Sequence, residues 1–389
     1  MTDTENFQFI NSPLRLFHGE DSLRRLGSEL DRLGCKRAVI FSGPFLEGAL
    51  LDRIREAVGN RLAGIYTGTL AHSPIPSVIE AANELRRLEA DAVVAVGGGS
   101  VIVTSRAAAI LLAEGTDVRS LCTVRDGSGG LKSPKLMAPK LPQFVVPTTP
   151  ATASVKAGSA LFDPETGDRL ALFDPKTRAQ AVFYDPTMLM SAPRSLVINA
   201  SINTFATAVE GLVSKNGNPI ADALLMHSIR LAGSNLRELP SGDNEARRGD
   251  LALAAVLCGQ GTDHTGAGIT TVLGHAIGAR HEVDNGLVNA VVLPHVLRFN
   301  ANAAPSGLSK VAAALSLPQS GPEVLEAVLD ETRRILVEAG APTQLRDLKV
   351  PVDHLKEIAV ASMGDWFLGG NPRKVTDAGQ INKILEEAW

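Results

Sequence analysis

The sequence predicts an α/β domain, a parallel sheet with flanking helices, over residues 1–192, followed by an all-α domain over 193–389. Three observations predict it. β-rich runs alternate with 3.6-residue apolar patterns in the first half, one such run stops at three consecutive glycines, and strand-like patterns vanish after Pro193. A chain of 389 residues is also too long for one ordinary core and suits two domains.

Taken in order, DSLRRLGSELDRLG (21–34) carries helical spacing and leads into KRAVIFSG (36–43), a short β-rich run ending at a turn. SVIEAANELRRLEA (77–90) is helical again, and ADAVVAVGGGS (90–100) is a buried strand that ends in glycine. VIVTSRAAAILLAEG (101–115) reads as the helix that follows. The stretch 120–142, rich in Gly, Pro and Lys, reads as a mobile surface loop. PQFVVPTTPA (142–151) then gives a strand, KAGSALFDPETGDRLALFD (156–174) a strand pair turning at TG, and QAVFYDP (180–186) the last clear strand. Beyond it, residues 195–214, 218–239, 246–262 and 322–340 all repeat apolar residues at helical spacing.

Composition excludes several classes. The chain is 44% hydrophobic and 21% charged with net charge −4, so it lacks the basic footprint of a nucleic-acid binder. MTDTENFQF at the start is acidic and polar, unlike a signal peptide, and no apolar run reaches the ~18 residues that span a bilayer. Cys35, Cys122 and Cys258 are odd in number and widely spaced, which fits neither a disulfide framework nor a thiolate metal site. The expectation is a cytoplasmic protein with a small-molecule substrate and no nucleic-acid or membrane partner.

VVAVGGGS is the strongest local signal. Glycine lets backbone approach a phosphate closely, and the helix starting near Ser100 offers free N–H groups and the positive end of its dipole. A bare turn is the rival, but three adjacent glycines cost more chain entropy than a turn requires. Gly97, Gly98, Gly99 and Ser100 are therefore expected to hold a cofactor phosphate, although the motif is neither a Walker loop nor GxGxxG. Thr148, Thr149, Thr152 and Ser154, in VPTTPATAS after the next strand, could hydrogen-bond the same cofactor.

Together GGGS (97–100), PTT (147–149), DP (185–186), ATAVEGLVS (206–214), NAVVLPHVLRFN (289–300) and NPRKVTD (371–377) resemble the iron-containing (group III) alcohol dehydrogenase superfamily nearly end to end. The resemblance implies a dinucleotide-binding α/β domain, a helical domain and an active site in the cleft between them. It implies NAD(P)-dependent oxidation of alcohols or reduction of carbonyls with a divalent metal, and a homodimer. Two departures concern the cofactor. Gly43 stands where the family commonly has an acid gripping the adenosine ribose, which removes repulsion of a 2′-phosphate and favours NADP over NAD. Val103 replaces the acid of the family's GGGSxxD.

HAIGARHEVDNG (275–286), with two histidines, a glutamate and an aspartate, invites reading as a metal site. By the resemblance, however, the four family metal ligands fall on Asn203, Thr207, Thr271 and Asn285, all neutral. Amide and hydroxyl oxygens are poor ligands for a borderline divalent ion, so no metal is expected there. The four are expected instead to line a substrate pocket together with Asp263. His281, Glu282 and Asp284 read as a solvated charge cluster rather than a second metal site.

Metal in the family polarises the substrate oxygen, so without it protein donors must act. His275 matches a family histidine near the nicotinamide and is the first candidate, an imidazole able to give a proton near neutral pH. His264, in GQGTDHTGAG, falls where the family lines its substrate pocket, and Arg169 aligns with a family lysine close to the nicotinamide. Asn203, AVEGL (208–212) and LCG (257–259) are similar to the maleylacetate reductases, a branch understood to work without added metal. The expected function is metal-independent, NAD(P)H-dependent reduction of a carbonyl or a conjugated alkene. Two rivals stay open: a non-redox enzyme performing elimination, isomerisation or cyclisation on the same fold, and a catalytically silent binding protein.

Overall fold

The computed structural model describes residues 6–125 and 131–389. Ten strands lie among them: β1 (Leu16–His18), β2 (Ala38–Phe41), β3 (Leu62–Tyr66), β4 (Ala92–Gly97), β5 (Val124–Arg125), β6 (Leu131–Lys132), β7 (Gln143–Pro147), β8 (Gly158–Phe162), β9 (Arg169–Phe173) and β10 (Ala179–Tyr184). Six form one parallel sheet in the order β1-β10-β7-β4-β2-β3. This is the α/β architecture with flanking helices that the alternating pattern predicts.

Sequence pattern explains which strands lie innermost. Every residue of β2, β4 and β7 is buried, as continuous apolar runs such as AVIF and AVVAVG require of strands covered on both faces. Their core joins Ile40, Val94, Val96, Phe144 and Val146 to Leu26 and Leu30 of the helix Arg25–Arg32. β1 and β3, the two edges, are absent from the pattern-based expectation. Four of the five β3 residues are only half-buried, and Gly64 interrupts the run. β8 and β9 form the expected antiparallel hairpin, with Gly167 at φ +75° in its turn. Within 120–142, β5 and β6 pair antiparallel, while residues 126–130 of the expected mobile loop lie outside the described residues.

Strand order fixes one location. From β2 the chain runs out to β3 at the edge, whereas from β4 it runs the opposite way to β7. The carboxyl ends of β2 and β4 therefore flank the point where connections diverge, the place where open α/β sheets form a ligand crevice. Gly43 follows β2, and Gly98 and Gly99 follow β4.

The chain divides into two compact units: Leu14–Val197 with Asp243–Ala252, and Met1–Pro13 with Ile198–Gly242 and Leu253–Trp389. Asp243–Ala252 belongs with the sheet because buried Arg248 pairs with Asp243 at 2.6 Å and donates to the carbonyls of Leu189 and Ala192. The second unit contains no strand among its described residues. Among the described residues one helix, Arg194–Val213, is long and apolar enough to cross a membrane, but 72% of its most apolar window is buried inside the protein. Its apolarity serves the core.

Candidate active site

In the sheet-bearing unit the backbone dominates. Gly97 sits at φ +151°, and a Cβ there would meet Val101 Cγ2 at 2.7 Å, so only glycine fits. Gly98 is the N-cap of the helix Gly99–Glu114, and a Cβ on it would lie 3.1 Å from Thr149 Oγ1. No side chain caps this helix among the described residues, and a Cβ on Gly99 would meet nothing within 4 Å. N–H groups left uncapped at a helix N-terminus suit an anion.

Neighbouring hydroxyls hold the turn in place. Ser42 Oγ donates to Val96 O at 2.8 Å, Thr69 Oγ1 to Ser42 O at 2.6 Å, and Ser73 Oγ to Ser100 O at 3.2 Å. Thr148 N donates to Gly97 O at 3.1 Å, which ties the end of β7 to the end of β4. Arg106, fully buried on the helix behind the turn, donates to Ala153 O and Gly158 O at 2.6 and 2.7 Å. Thr69, Ser73 and Arg106 have no local motif, and only the folded register reveals them.

The structure thus brings Gly97, Gly98, Gly99, Ser100, Thr148 and Thr149 together. Gly43 stands one strand over, where a Cβ would meet Phe45 Cδ1 at 3.2 Å and Thr69 Oγ1 at 3.9 Å. Thr152 begins the short 3-10 helix Thr152–Val155, in which Ser154 is fully buried. Arg169 opens β9 opposite Phe162, on the hairpin rather than on the glycine turn.

In the helical unit side chains dominate. Between Ser201 and Val213 every residue is buried except Asn203 and Thr207, one helical turn apart. On the helix Ile269–His281, Thr271 and His275 are likewise half-buried at i, i+4, while Ile269, Leu273 and Ile277 point into the core. Each helix therefore turns a narrow polar stripe away from its core.

Buried contacts join these stripes. Glu210, one turn beyond Thr207, accepts from the backbone N–H groups of Thr270 and Thr271 at 2.6 and 3.2 Å and from Thr271 Oγ1 at 2.6 Å. Burial pushes its carboxyl above the ordinary range, and these donors oppose that shift. Asn203 is hydrogen-bonded through its amide to that of Asn289 at 2.9 Å. A Cβ on Gly286 would stand 2.0 Å from Asn199 O, so the helix Asn285–Asn300 lies directly against Asn203's helix. Asn285 Oδ1 would be 2.3 Å from a Cβ on Gly278, and it is buried without a hydrogen-bond partner among the described residues.

The donor set at Asn203, Thr207, Thr271 and Asn285 is two amides and two hydroxyls. Neither an imidazole nor a carboxylate stands at any of the four, and that does not fit a divalent metal centre. Among the described residues no three His, Cys, Asp or Glu side chains group as metal ligands elsewhere. His281, Glu282 and Asp284 point apart: His281 faces His354 with ring centroids 5.4 Å apart, Glu282 takes φ +54°, and Asp284 accepts from Asn199.

His275 lies 3.5 Å, Nδ1 to Oδ2, from Asp365, with the rings of Trp366 and Phe367 at 6.4 and 5.7 Å. Sequence reading missed Asp365, ninety residues away. His264, at the end of the helix Glu245–Thr265, stacks on Phe9 with centroids 3.9 Å apart, and Asp263 beside it is exposed. The NPR landmark has a structural role: Asn371 and Asn300 exchange hydrogen bonds at 2.8 and 2.9 Å.

The chain thus combines a parallel sheet carrying a glycine turn at its switch point with an all-helical unit bearing a polar stripe. The chain belongs to the iron-containing alcohol dehydrogenase family. Residues 13–186 match the family model for iron-containing alcohol dehydrogenase, and residues 197–389 match that for the family's C-terminal part. Over 387 residues it is 29% identical to the lactaldehyde reductase of Escherichia coli K12, covering 95% of this chain and 97% of that one. It is 28% identical over 384 residues to the maleylacetate reductase of Sphingobium indicum, covering 98% and 97%. The solved alcohol dehydrogenase from Oenococcus oeni superposes with a TM-score of 0.89 at 23% identity, covering 99% and 100%.

Proposed function

We propose that this oxidoreductase reduces a carbonyl, or an alkene conjugated to one, with NAD(P)H and without a catalytic metal. The observation that carries the reading is a contrast: an intact glycine turn accompanies four neutral side chains, Asn203, Thr207, Thr271 and Asn285, at the positions that the resemblance assigns to metal ligands. When bound, the dihydronicotinamide would supply a hydride, which carries the two electrons of the reduction. His275 supplies the matching proton to the substrate oxygen or enolate and regains it from solvent, so the carbonyl gains one hydride and one proton as the cofactor is oxidised.

Gly97, Gly98, Gly99 and Ser100 would hold the pyrophosphate, with Thr148 and Thr149 beside it. NADP is favoured over NAD because the atoms nearest the place a Gly43 Cβ would take belong to the uncharged side chains of Phe45 and Thr69, and neither repels a 2′-phosphate. Asn203, Thr207 and Thr271 would offer the substrate hydrogen bonds in place of a metal. Identity to a maleylacetate reductase makes a maleylacetate-type keto acid the most specific substrate reading. A cytoplasmic homodimer completes the proposal.

The test is NADPH oxidation by chelator-dialysed protein against aldehydes, ketones and enone acids. Turnover insensitive to added zinc or iron is the expected result. Failure of every substrate until metal is restored contradicts it.

A further inference from the structure

We propose that Asp365 is a positioning residue for His275. It holds the imidazole with its Nδ1 proton directed at the carboxylate, so that Nε2 is the atom that gives the proton. The inference rests on the reading of His275 as proton donor.

The geometry makes Asp365 a fixed acceptor. Its Oδ1 accepts from Phe367 N at 2.8 Å, which orients the carboxylate, and its Oδ2 is the oxygen facing His275 at 3.5 Å. Such contacts often sit long in the free enzyme and shorten when substrate binds. Both side chains are largely sheltered, 14% and 11% exposed, so their attraction is less screened than at a surface. The aromatic rings of Trp366 and Phe367 beside the imidazole add to that shelter.

The segment carrying Asp365 is anchored. A Cβ on Gly370 would stand 2.3 Å from Ala267 O, so the short helix Trp366–Gly370 lies against the chain entering His275's helix. Asn371, next in sequence, is locked to Asn300. Among the described residues near this helix, Glu210 binds Thr270 and Thr271, Arg280 pairs with Glu357, and His281 faces His354. On helix Asn285–Asn300, His295 faces Glu387 and Arg298 pairs with Glu326. A carboxylate can only accept, so the imidazole nitrogen it holds must carry the hydrogen.

The experiment uses full-length protein with ¹⁵N-labelled imidazoles. Its eight histidines are resolved by long-range ¹H–¹⁵N correlation, and His275 is assigned by the signal missing in H275Q. Asp365→Asn retains an oxygen that can cap Phe367 N but removes the charge, and its melting temperature reports the fold. The expected result is an Nδ1–H tautomer in the wild type and a titration midpoint about one unit lower in D365N. In turnover, D365N should lower kcat about tenfold with KM little changed, and Asp365→Glu should recover part of it.

Identical tautomer and midpoint in wild type and D365N overturn the proposal. If D365N folds poorly, D365E is read in the same way: a displaced midpoint or tautomer supports it, and an unchanged one contradicts it. Failure of the underlying reading looks different. H275Q that retains full NADPH turnover removes His275 from the chemistry, whatever its tautomer.

Discussion

On the proposed reading, the glycine turn after β4 and the polar stripe of the helical unit are two answers to the problem of holding a ligand. The turn uses backbone. Its N–H groups exist whatever the side chains are, provided Gly97 can keep φ +151° and Gly99 faces open space. The stripe uses side chains, so a few substitutions change its chemistry while its helices stay in place. Asn203, Thr207 and Thr271 are half-buried, and Glu210 caps the helix beside them. A backbone site would resist substitution in a way that a side-chain site does not.

The largest expected effect bears on the side-chain region. His275→Gln should lower kcat by about 10²–10⁴, the usual worth of a general acid, while nucleotide affinity stays within twofold or so. Steady-state kinetics alongside fluorescence titration of NADPH checks both halves. A loss confined to nucleotide binding would merge the two regions and break the contrast.

Next comes the backbone region. Gly99→Asp places a negative charge at a helix N-terminus, which ordinarily stabilises the helix slightly, and its Cβ meets no atom within 4 Å. The fold should therefore survive while nucleotide binding weakens about 100-fold through repulsion of phosphate. Unchanged NADPH affinity with an unchanged melting temperature would remove the turn from the cofactor site.

The smallest effect is a stability control on the helix that carries Thr271 and His275. Burial, then the neighbouring charges of His354 and Arg280, hold the His281 imidazole below its ordinary value of 6.5. A depressed basic group contributes stability that is complete above the unfolded value and is lost as pH falls through that value toward the folded one. Melting temperature should thus decline from pH 7 to pH 5, and less steeply in His281→Gln. Some slope should remain, because burial lowers His295 as well. A steeper decline in H281Q would reverse the sign and refute the assignment.

The legibility of the molecule follows the same division. Strands β2, β4, β7 and β10 announce themselves as apolar runs, and the glycine turn as a local motif. The edges β1 and β3 do not: one is three residues long, the other half-exposed and broken by Gly64. The neutral quartet is readable only by resemblance, since nothing local marks an asparagine as standing in a ligand's place. Glu210 and Asp365 escaped functional notice because their partners are sixty and ninety residues away. Side-chain chemistry assembled by long-range packing leaves no spacing to read.

The central claim is that neutral side chains do here what relatives assign to an ion. Metal content by plasma mass spectrometry, paired with NADPH turnover on the same sample before and after chelation, tests it most directly. The account predicts far less than one zinc or iron per chain and no activity change. One tightly held metal per chain, lost together with turnover and restored with it, would contradict the account.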